Sequence, residues 1–214
     1  MKDSFKYKGM RKNLINDLKN KGINQELILE AFNLVPRHYF LDNAFVEQAY
    51  TDIPFQIGSG QTISHPYTVA FQTQLLNIKK GDKVLEVGTG SGFQTAILHV
   101  LGAKVYSIER HKELYLKASS ILKKLNYRAH LIFGDGYKGL PNFAPFDKVI
   151  ITCGAPKIPK NLIKQLKIGG IMVIPIGENK KQQMKKIIKI SENKLNIEDC
   201  GVFSFVPMLS KKVK

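Results

Sequence analysis

The segment Val84-Leu85-Glu86-Val87-Gly88-Thr89-Gly90-Ser91-Gly92-Phe93 places a glycine turn directly after an apolar run and before a helical one. Gly88, Gly90 and Gly92 let the backbone turn tightly and approach a ligand with no Cβ in the way. The spacing is G-x-G-x-G, whereas the dinucleotide pattern is G-x-G-x-x-G, and Phe93 occupies the place of its third glycine. Glu86 stands just before the loop, where it would repel a pyrophosphate but attract a sulfonium and an α-ammonium. These electrostatics favour S-adenosylmethionine over NAD. Two more carboxylates follow at strand ends: Glu109, seventeen residues past Gly92 and suited to accepting both ribose hydroxyls, and Asp135, between Gly134 and Gly136 and suited to an adenine amino group. Singly each reads as a solvated strand end; three features at the ends of three successive strands make coincidence improbable.

The elements that hold these residues follow from hydrophobic period and punctuation. Short β-rich runs at Val84–Val87, Val105–Ile108, His130–Phe133, Val149–Thr152 and Ile171–Ile176 alternate with helical stretches. The stretches are Phe93–Leu101, Lys112–Leu125 and Pro159–Leu166, closed by Gly102, Asn126 and Gly169-Gly170. That alternation predicts a doubly wound parallel sheet with crossover helices. Upstream, Met10, Leu14, Ile15 and Leu18 recur at helical spacing and Gly22 ends that helix; Asn24 is the expected N-cap of a second, carrying Leu27, Ile28, Ala31 and Phe32 and stopped by Pro36. Residues 37–66 show no sustained period and read as a long ordered connection of functional kind. Met184–Ile190 and Val202–Val206 read as an antiparallel pair at one sheet edge, joined through Glu192-Asn193-Lys194.

Length and composition bound the remainder. With 214 residues the chain reads as one domain, 1–214, in which 1–66 supply helices and a substrate loop and 67–214 the cofactor-binding core and last strands. From Met1-Lys2-Asp3 onward there is no export signal and no apolar stretch long enough to span a bilayer. Cys153 and Cys200 lack metal or redox spacing, which implies a reducing, cytoplasmic setting and no metal. The net charge of +16 suggests nucleic acid, yet arginine occurs only at 11, 37, 110 and 128, and arginine is the better bidentate reader of phosphate and guanine. The cluster Lys180, Lys181, Lys185, Lys186, Lys189 is read as a solvated face in preference to a phosphate site.

Ahead of the first core strand lies Ile57-Gly58-Ser59-Gly60-Gln61-Thr62-Ile63-Ser64-His65-Pro66, and here the chain resembles the protein-L-isoaspartate O-methyltransferases, which carry a GQTIS-P motif at this place. The likeness extends through Val35-Pro36-Arg37, Ala49-Tyr50-Thr51-Asp52, the glycine loop, Gly134-Asp135-Gly136, Leu166-Lys167-Ile168-Gly169-Gly170, Ile174-Pro175-Ile176-Gly177 and Phe205-Val206-Pro207. The resemblance implies an α/β, Rossmann-like, class I S-adenosylmethionine-dependent methyltransferase sheet with an N-terminal helical extension and an antiparallel C-terminal strand pair. It implies methyl transfer to the free carboxylate of L-isoaspartyl residues in damaged proteins, which starts repair through a succinimide, by an enzyme working as a monomer without nucleic acid or membrane.

By the same resemblance Ser64 is the active-site serine, with a positioning role. Thr62 and Ile63 line the methyl-donor pocket, and Glu86, Gly88, Gly90, Ser91, Gly92, Glu109, Arg110, Asp135 and Gly136 hold the cofactor. Phe205 and Val206 bind the substrate main chain. The residues alone leave other readings: Ser64 and His65 as caps of a helix starting at Pro66, and Phe205 as part of a buried edge strand. Two departures concern substrate contacts: Gly154-Ala155-Pro156 is shorter than the family's alanine run, and Ser204 stands where a basic residue is frequent.

The main rival is a nucleic-acid methyltransferase. The [DN]-P-P-[YF] motif of base-amine enzymes is absent, with Thr152-Cys153-Gly154-Ala155-Pro156 in its place, and Cys200 lacks the context of a second catalytic cysteine. A binding module that kept only the fold would show a degraded serine or glycine loop, and both are intact.

Overall fold

The apolar stripe read near the N-terminus folds as α1 (Phe5–Asn20) and α2 (Glu26–Leu34), which bury Leu14, Leu18, Ile28, Leu29 and Phe32. The computed structural model describes residues 3–178 and 181–213. Gly22 follows α1 with φ +90°, as a helix-ending glycine should. The cap position of α2 is Gln25, not Asn24, since the helix starts one residue later than expected, at Glu26; the Asn24 backbone N–H donates to Gln74 Oε1 at 3.1 Å.

The aperiodic stretch 37–66 contains two short 3₁₀ turns and a hairpin of β1 (Phe55–Gly58) and β2 (Gln61–Ile63), then enters α3 (Pro66–Leu76). Ser59 and Gly60 both take positive φ in the hairpin turn, and the Ser59 hydroxyl reaches Glu113 Oε2 at 3.3 Å.

The central sheet is built from β3 (Lys83–Val87), β4 (Lys104–Glu109), β5 (His130–Phe133), β6 (Phe146–Ile151), β7 (Leu166–Ile176), β8 (Gln182–Ser191) and β9 (Lys194–Phe203). Its order is β5-β4-β3-β6-β7-β8-β9, parallel through β7 and antiparallel in the last two pairings. Helices α4 (Phe93–Val100), α5 (Lys112–Lys124) and α6 (Lys160–Lys164) make the crossovers. The expected doubly wound α/β fold with a helical extension and an antiparallel pair is the fold observed.

Both faces of the parallel strands are covered, so they carry continuous apolar runs. Alternate residues sort into two cores: Val84, Val105, Ile150, Val173 and Met184 on one face, and Leu85, Val87, Ile108, Val149, Ile151 and Met172 on the other. The strand order reverses between β3 and β6, so the loops after them part and leave a crevice at their carboxyl ends.

Two readings need correction. Gly169-Gly170 does not close the third crossover helix: α6 ends at Lys164 and residues 166–176 are one strand, whose register shifts between Phe146 and Lys148. The last strand is Lys194–Phe203, not Val202–Val206, and only Glu192-Asn193 forms the turn. The lysine cluster is largely paired. Lys185 meets Asp199, Lys186 lies 3.8 Å from Glu198, and Lys189, 2% exposed, bonds Glu192 and the Leu166 carbonyl. Lys180 lies outside the described residues.

Candidate active site

β3 ends in the glycine loop because its backbone must pass Thr152, at the end of β6. Gly88 has φ +99°, and a Cβ there would stand 2.5 Å from Thr152 Oγ1. That hydroxyl donates to the carbonyls of Gly88 at 2.7 Å and Val87 at 3.0 Å, pinning the two strand ends across the crevice. Gly136 is equally confined, its absent Cβ replaced by contact with Val87. Glycine at both positions thus follows from close packing around the crevice.

Two cavities meet at this loop. The larger lies among Glu109, Arg110, His111, Gly136, Cys153 and Val206; the smaller lies among Ile63, Ser64, Gln72, Ser91, Phe93 and Gln94. Thr62, Gly88, Gly90 and Thr152 line both. The hairpin is what delivers Thr62 and Ile63, and then Ser64, to the side opposite the glycine loop.

Ser64 is half-buried, and its hydroxyl makes no hydrogen bond with the described residues. The cap position of α3 is His65, with Pro66 next and no side-chain capping bond, so the helix start does not use the serine.

Glu86 lies beneath the loop and does not line either cavity. It is fully buried, accepts from Thr95 Oγ1 at 2.5 Å through Oε2, and leaves Oε1 without a partner among the described residues. Burial raises its pKa to about 7, with the Glu109 charge adding to the rise against the hydrogen bonds of Thr95 and Ser107. Glu109 accepts from the N–H of Gly90 and of His111, both at 2.9 Å, which fixes its carboxylate at the tip of β4.

Asp135 and Arg110 are tied to the C-terminal tail. Asp135 accepts from Tyr137 N and, through Oδ2, from Lys211 N, each at 2.9 Å. Arg110 donates to the carbonyls of Lys211 and Ser210 at 3.0 and 3.2 Å, and the tail's Met208 and Leu209 wall the larger cavity. Asp135, Gly92 and Phe205 stand outside the cavity walls: Gly92 begins α4, and Phe205 packs on the Val84 and Val105 core while its N–H donates to Gln182 Oε1 at 2.8 Å. Val206 lines the larger cavity, and its N–H donates to none of the described residues.

Several lining residues carry no signal in the sequence. Gln72 comes from the interior of α3 and Gln94 from the first turn of α4; Gln72 Nε2 donates to the Ile151 carbonyl at 3.0 Å, while Gln94 Oε1 is buried without a partner among the described residues. Met208 and Leu209 arrive from the far end of the chain. Thr152 was discoverable, since the strand-end rule that selected Glu109 also selects it. Cys153 lines the larger cavity, and burial pushes its thiol up to about 12. A thiol in that state is no nucleophile at neutral pH. The described residues contain no group of three His, Cys, Asp or Glu side chains able to hold a metal, and no helix long and apolar enough to cross a membrane.

Comparison with known proteins places this geometry. The family described as Protein-L-isoaspartate(D-aspartate) O-methyltransferase matches residues 9–213. The protein-L-isoaspartate O-methyltransferases of Flavobacterium psychrophilum and Christiangramia forsetii are 58% and 54% identical, each over 99% of this chain and all of theirs. Among solved structures, a protein-L-isoaspartate O-methyltransferase superposes with a TM-score of 0.84 at 27% identity, covering 92% of this chain and 65% of that one. A Plasmodium falciparum protein described as belonging to the same class, in complex with S-adenosyl-L-homocysteine, shares the fold at 24% identity, with a TM-score of 0.82 over 93% of this chain and 98% of its own. A serine without a hydrogen bond to the described residues, opposite a glycine loop on a chain matched from residue 9 to residue 213, has one consistent account: the chain belongs to the protein-L-isoaspartate(D-aspartate) O-methyltransferase family.

Proposed function

We propose that the protein transfers a methyl group from S-adenosylmethionine to the free carboxylate of L-isoaspartyl residues in damaged proteins and peptides, the step that opens repair through a succinimide. The observation that carries the reading is the Ser64 hydroxyl, without a hydrogen bond to the described residues, in the wall of a cavity that also holds Gly88, Gly90 and Ser91.

The residues present fit the cofactor. One buried acceptor without a partner among the described residues, Gln94 Oε1, belongs to a residue lining the smaller cavity, where a ligand's ammonium supplies the missing donor, while Glu86 acts on the ligand's positive charge from beneath the loop. Glu109, oriented by the N–H groups of Gly90 and His111, suits the ribose hydroxyls, and the cavity past Gly136 suits the base. The bound cofactor supplies the methyl group on a positively charged sulfur.

The chain's own work is positional. A carboxylate is ionised at pH 7, so its oxygen already holds the electron pair that forms the new O–C bond, and no general base is required. Ser64 donates to one carboxylate oxygen and turns the other toward the methyl group, while the Val206 N–H receives the substrate's main chain. Thr62 and Ile63 close the site against water, where alignment lowers the barrier most. Arg110, Asp135 and the tail hold the outer wall. Protein substrates in the cytoplasm, a monomeric state and no nucleic-acid partner complete the reading; the thiol of Cys153, held protonated, counts against the rival chemistry on RNA.

The test is transfer of labelled methyl to an L-isoaspartyl peptide, to the same peptide with normal aspartate, and to RNA. Alkali-labile label on the isoaspartyl peptide alone supports the proposal, and label on RNA alone removes it.

A further inference from the structure

Beside the serine, a second groove of about 910 Å³ opens between the first turns of α3 and the end of β9, lined by Asp52, His65, Tyr67, Phe71, Phe203 and Ser204 among others. Three rings form its apolar floor. Tyr67 and Phe203 lie nearly parallel, 15° apart with centroids at 6.4 Å, and Phe71 sits 5.1 Å from Phe203. All three are half-buried, so each keeps an apolar face toward water that a ligand would cover.

The charge in the groove is balanced. Asp52 accepts from the Tyr67 N–H at 2.8 Å and from the Lys21 ammonium at 2.6 Å, and that ammonium lies 5.8 Å from the centre of the Tyr67 ring. Burial lowers the pKa of His65, which leaves its imidazole neutral at pH 7. The groove therefore suits an uncharged, ring-bearing or aliphatic group more than an ion.

The groove adjoins the transfer site along the chain at both walls. His65 directly follows Ser64, and Ser204 directly precedes Phe205-Val206. Three peptide units separate Ser64 from Tyr67, at most about 11 Å of Cα path, and an extended peptide covers about 3.4 Å per residue. A polypeptide whose target residue meets Ser64 therefore reaches the rings two or three residues away. β9 is also the outer strand of the sheet, so its end near Val202–Ser204 offers an unpaired backbone edge to such a chain.

We infer that this groove binds the stretch of substrate flanking the isoaspartyl residue, and that Tyr67 and Phe203 select an aromatic or large aliphatic side chain two or three positions from it. The inference rests on the isoaspartyl reading above.

The experiment measures kcat and KM for a glycine-rich isoaspartyl peptide and for versions carrying one phenylalanine at each of the second and third positions on either side. One placement should raise kcat/KM about tenfold, through KM with kcat held. In Tyr67→Ala and Phe203→Ala that ratio should fall below about twofold, while S-adenosylhomocysteine affinity stays at the wild-type value at a temperature where each variant is folded, and Tyr67→Phe keeps the preference. Equal kcat/KM at every placement in the wild type overturns the inference with no variant needed, as does a preference that survives in both alanine variants. A concentration-dependent dimer abolished by Phe203→Ala assigns the groove to a second copy and also overturns it. Failure to methylate even the parent peptide removes the isoaspartyl reading itself, a result distinct from a flat placement series.

Discussion

The Thr152 hydroxyl donates to the Gly88 carbonyl at 2.7 Å and stands 2.5 Å from where a Cβ on residue 88 would lie. The two residues end adjacent strands, and their contact sets the floor shared by both cavities. Gly88→Ala must therefore displace a doubly bonded hydroxyl and hold alanine at φ +99°. A backbone penalty of about 1 to 3 kcal/mol adds to the clash. Affinity for S-adenosylhomocysteine should fall by about tenfold or more in titration calorimetry; an unchanged affinity means the loop does not bear on the cofactor.

Ser64→Ala separates catalysis from folding. The hydroxyl bonds no described residue, so the thermal midpoint should correspond to a stability change within about 0.5 kcal/mol. The kcat/KM on an isoaspartyl peptide should drop by about 10- to 100-fold, with cofactor affinity held. Wild-type kcat/KM in this variant would dismiss the positioning role.

Glu86 titrates near 7 in the folded protein against 4.5 when unfolded, because burial disfavours its charge. A raised carboxylate pKa gives stability that is full below about 4.5 and is lost as pH climbs through 7. Glu86→Gln escapes that loss. Its stability should match the wild type near pH 4.5 and exceed it increasingly up to about pH 7, by up to about 3 kcal/mol, with the melting temperature following. A difference in melting temperature that stays level from pH 5 to 8 refutes this. The same variant should bind the cationic cofactor more weakly.

Arg110→Ala removes both bonds that hold the Ser210 and Lys211 carbonyls, leaving the tail to the Asp135 to Lys211 contact and the backbone bonds of Val213 with Arg110 and Lys112. Amide exchange at residues 209–213 should accelerate, and S-adenosylhomocysteine should dissociate faster, since Met208 and Leu209 form the cavity's outer wall. Protection equal to wild type would show that Arg110 does not clasp the tail.

Cys153→Ser should keep methyl transfer within about threefold, because a thiol with its pKa near 12 supplies no thiolate for covalent attack. Loss of all transfer would reopen the cysteine-dependent mechanism. The check is the isoaspartyl peptide assay at pH 7.5.

The sequence by itself determined the alternating α/β core, the glycine loop and the carboxylates at 86, 109 and 135, because strands buried on both faces and ligands bound at their carboxyl ends leave local, periodic traces. The GQTIS-P segment gave Ser64 by resemblance. Strands of four and three residues at 55–58 and 61–63 are too short for a period, so the hairpin that carries Thr62 to the cavity was invisible. Residues 166–170 read as a helix end since glycines punctuate both a helix stop and an irregular strand. β9 hid its extent because an edge strand exposed on one side alternates weakly, with Asn196, Glu198 and Asp199 among its residues. Only the tertiary structure decided which carboxylates face a cavity: burial sets the titration of Glu86, and the bonds from Asp135 and Arg110 to the tail span 76 and 101 residues. Such pairings depend on where distant segments meet in space, and no local pattern of residues encodes that distance.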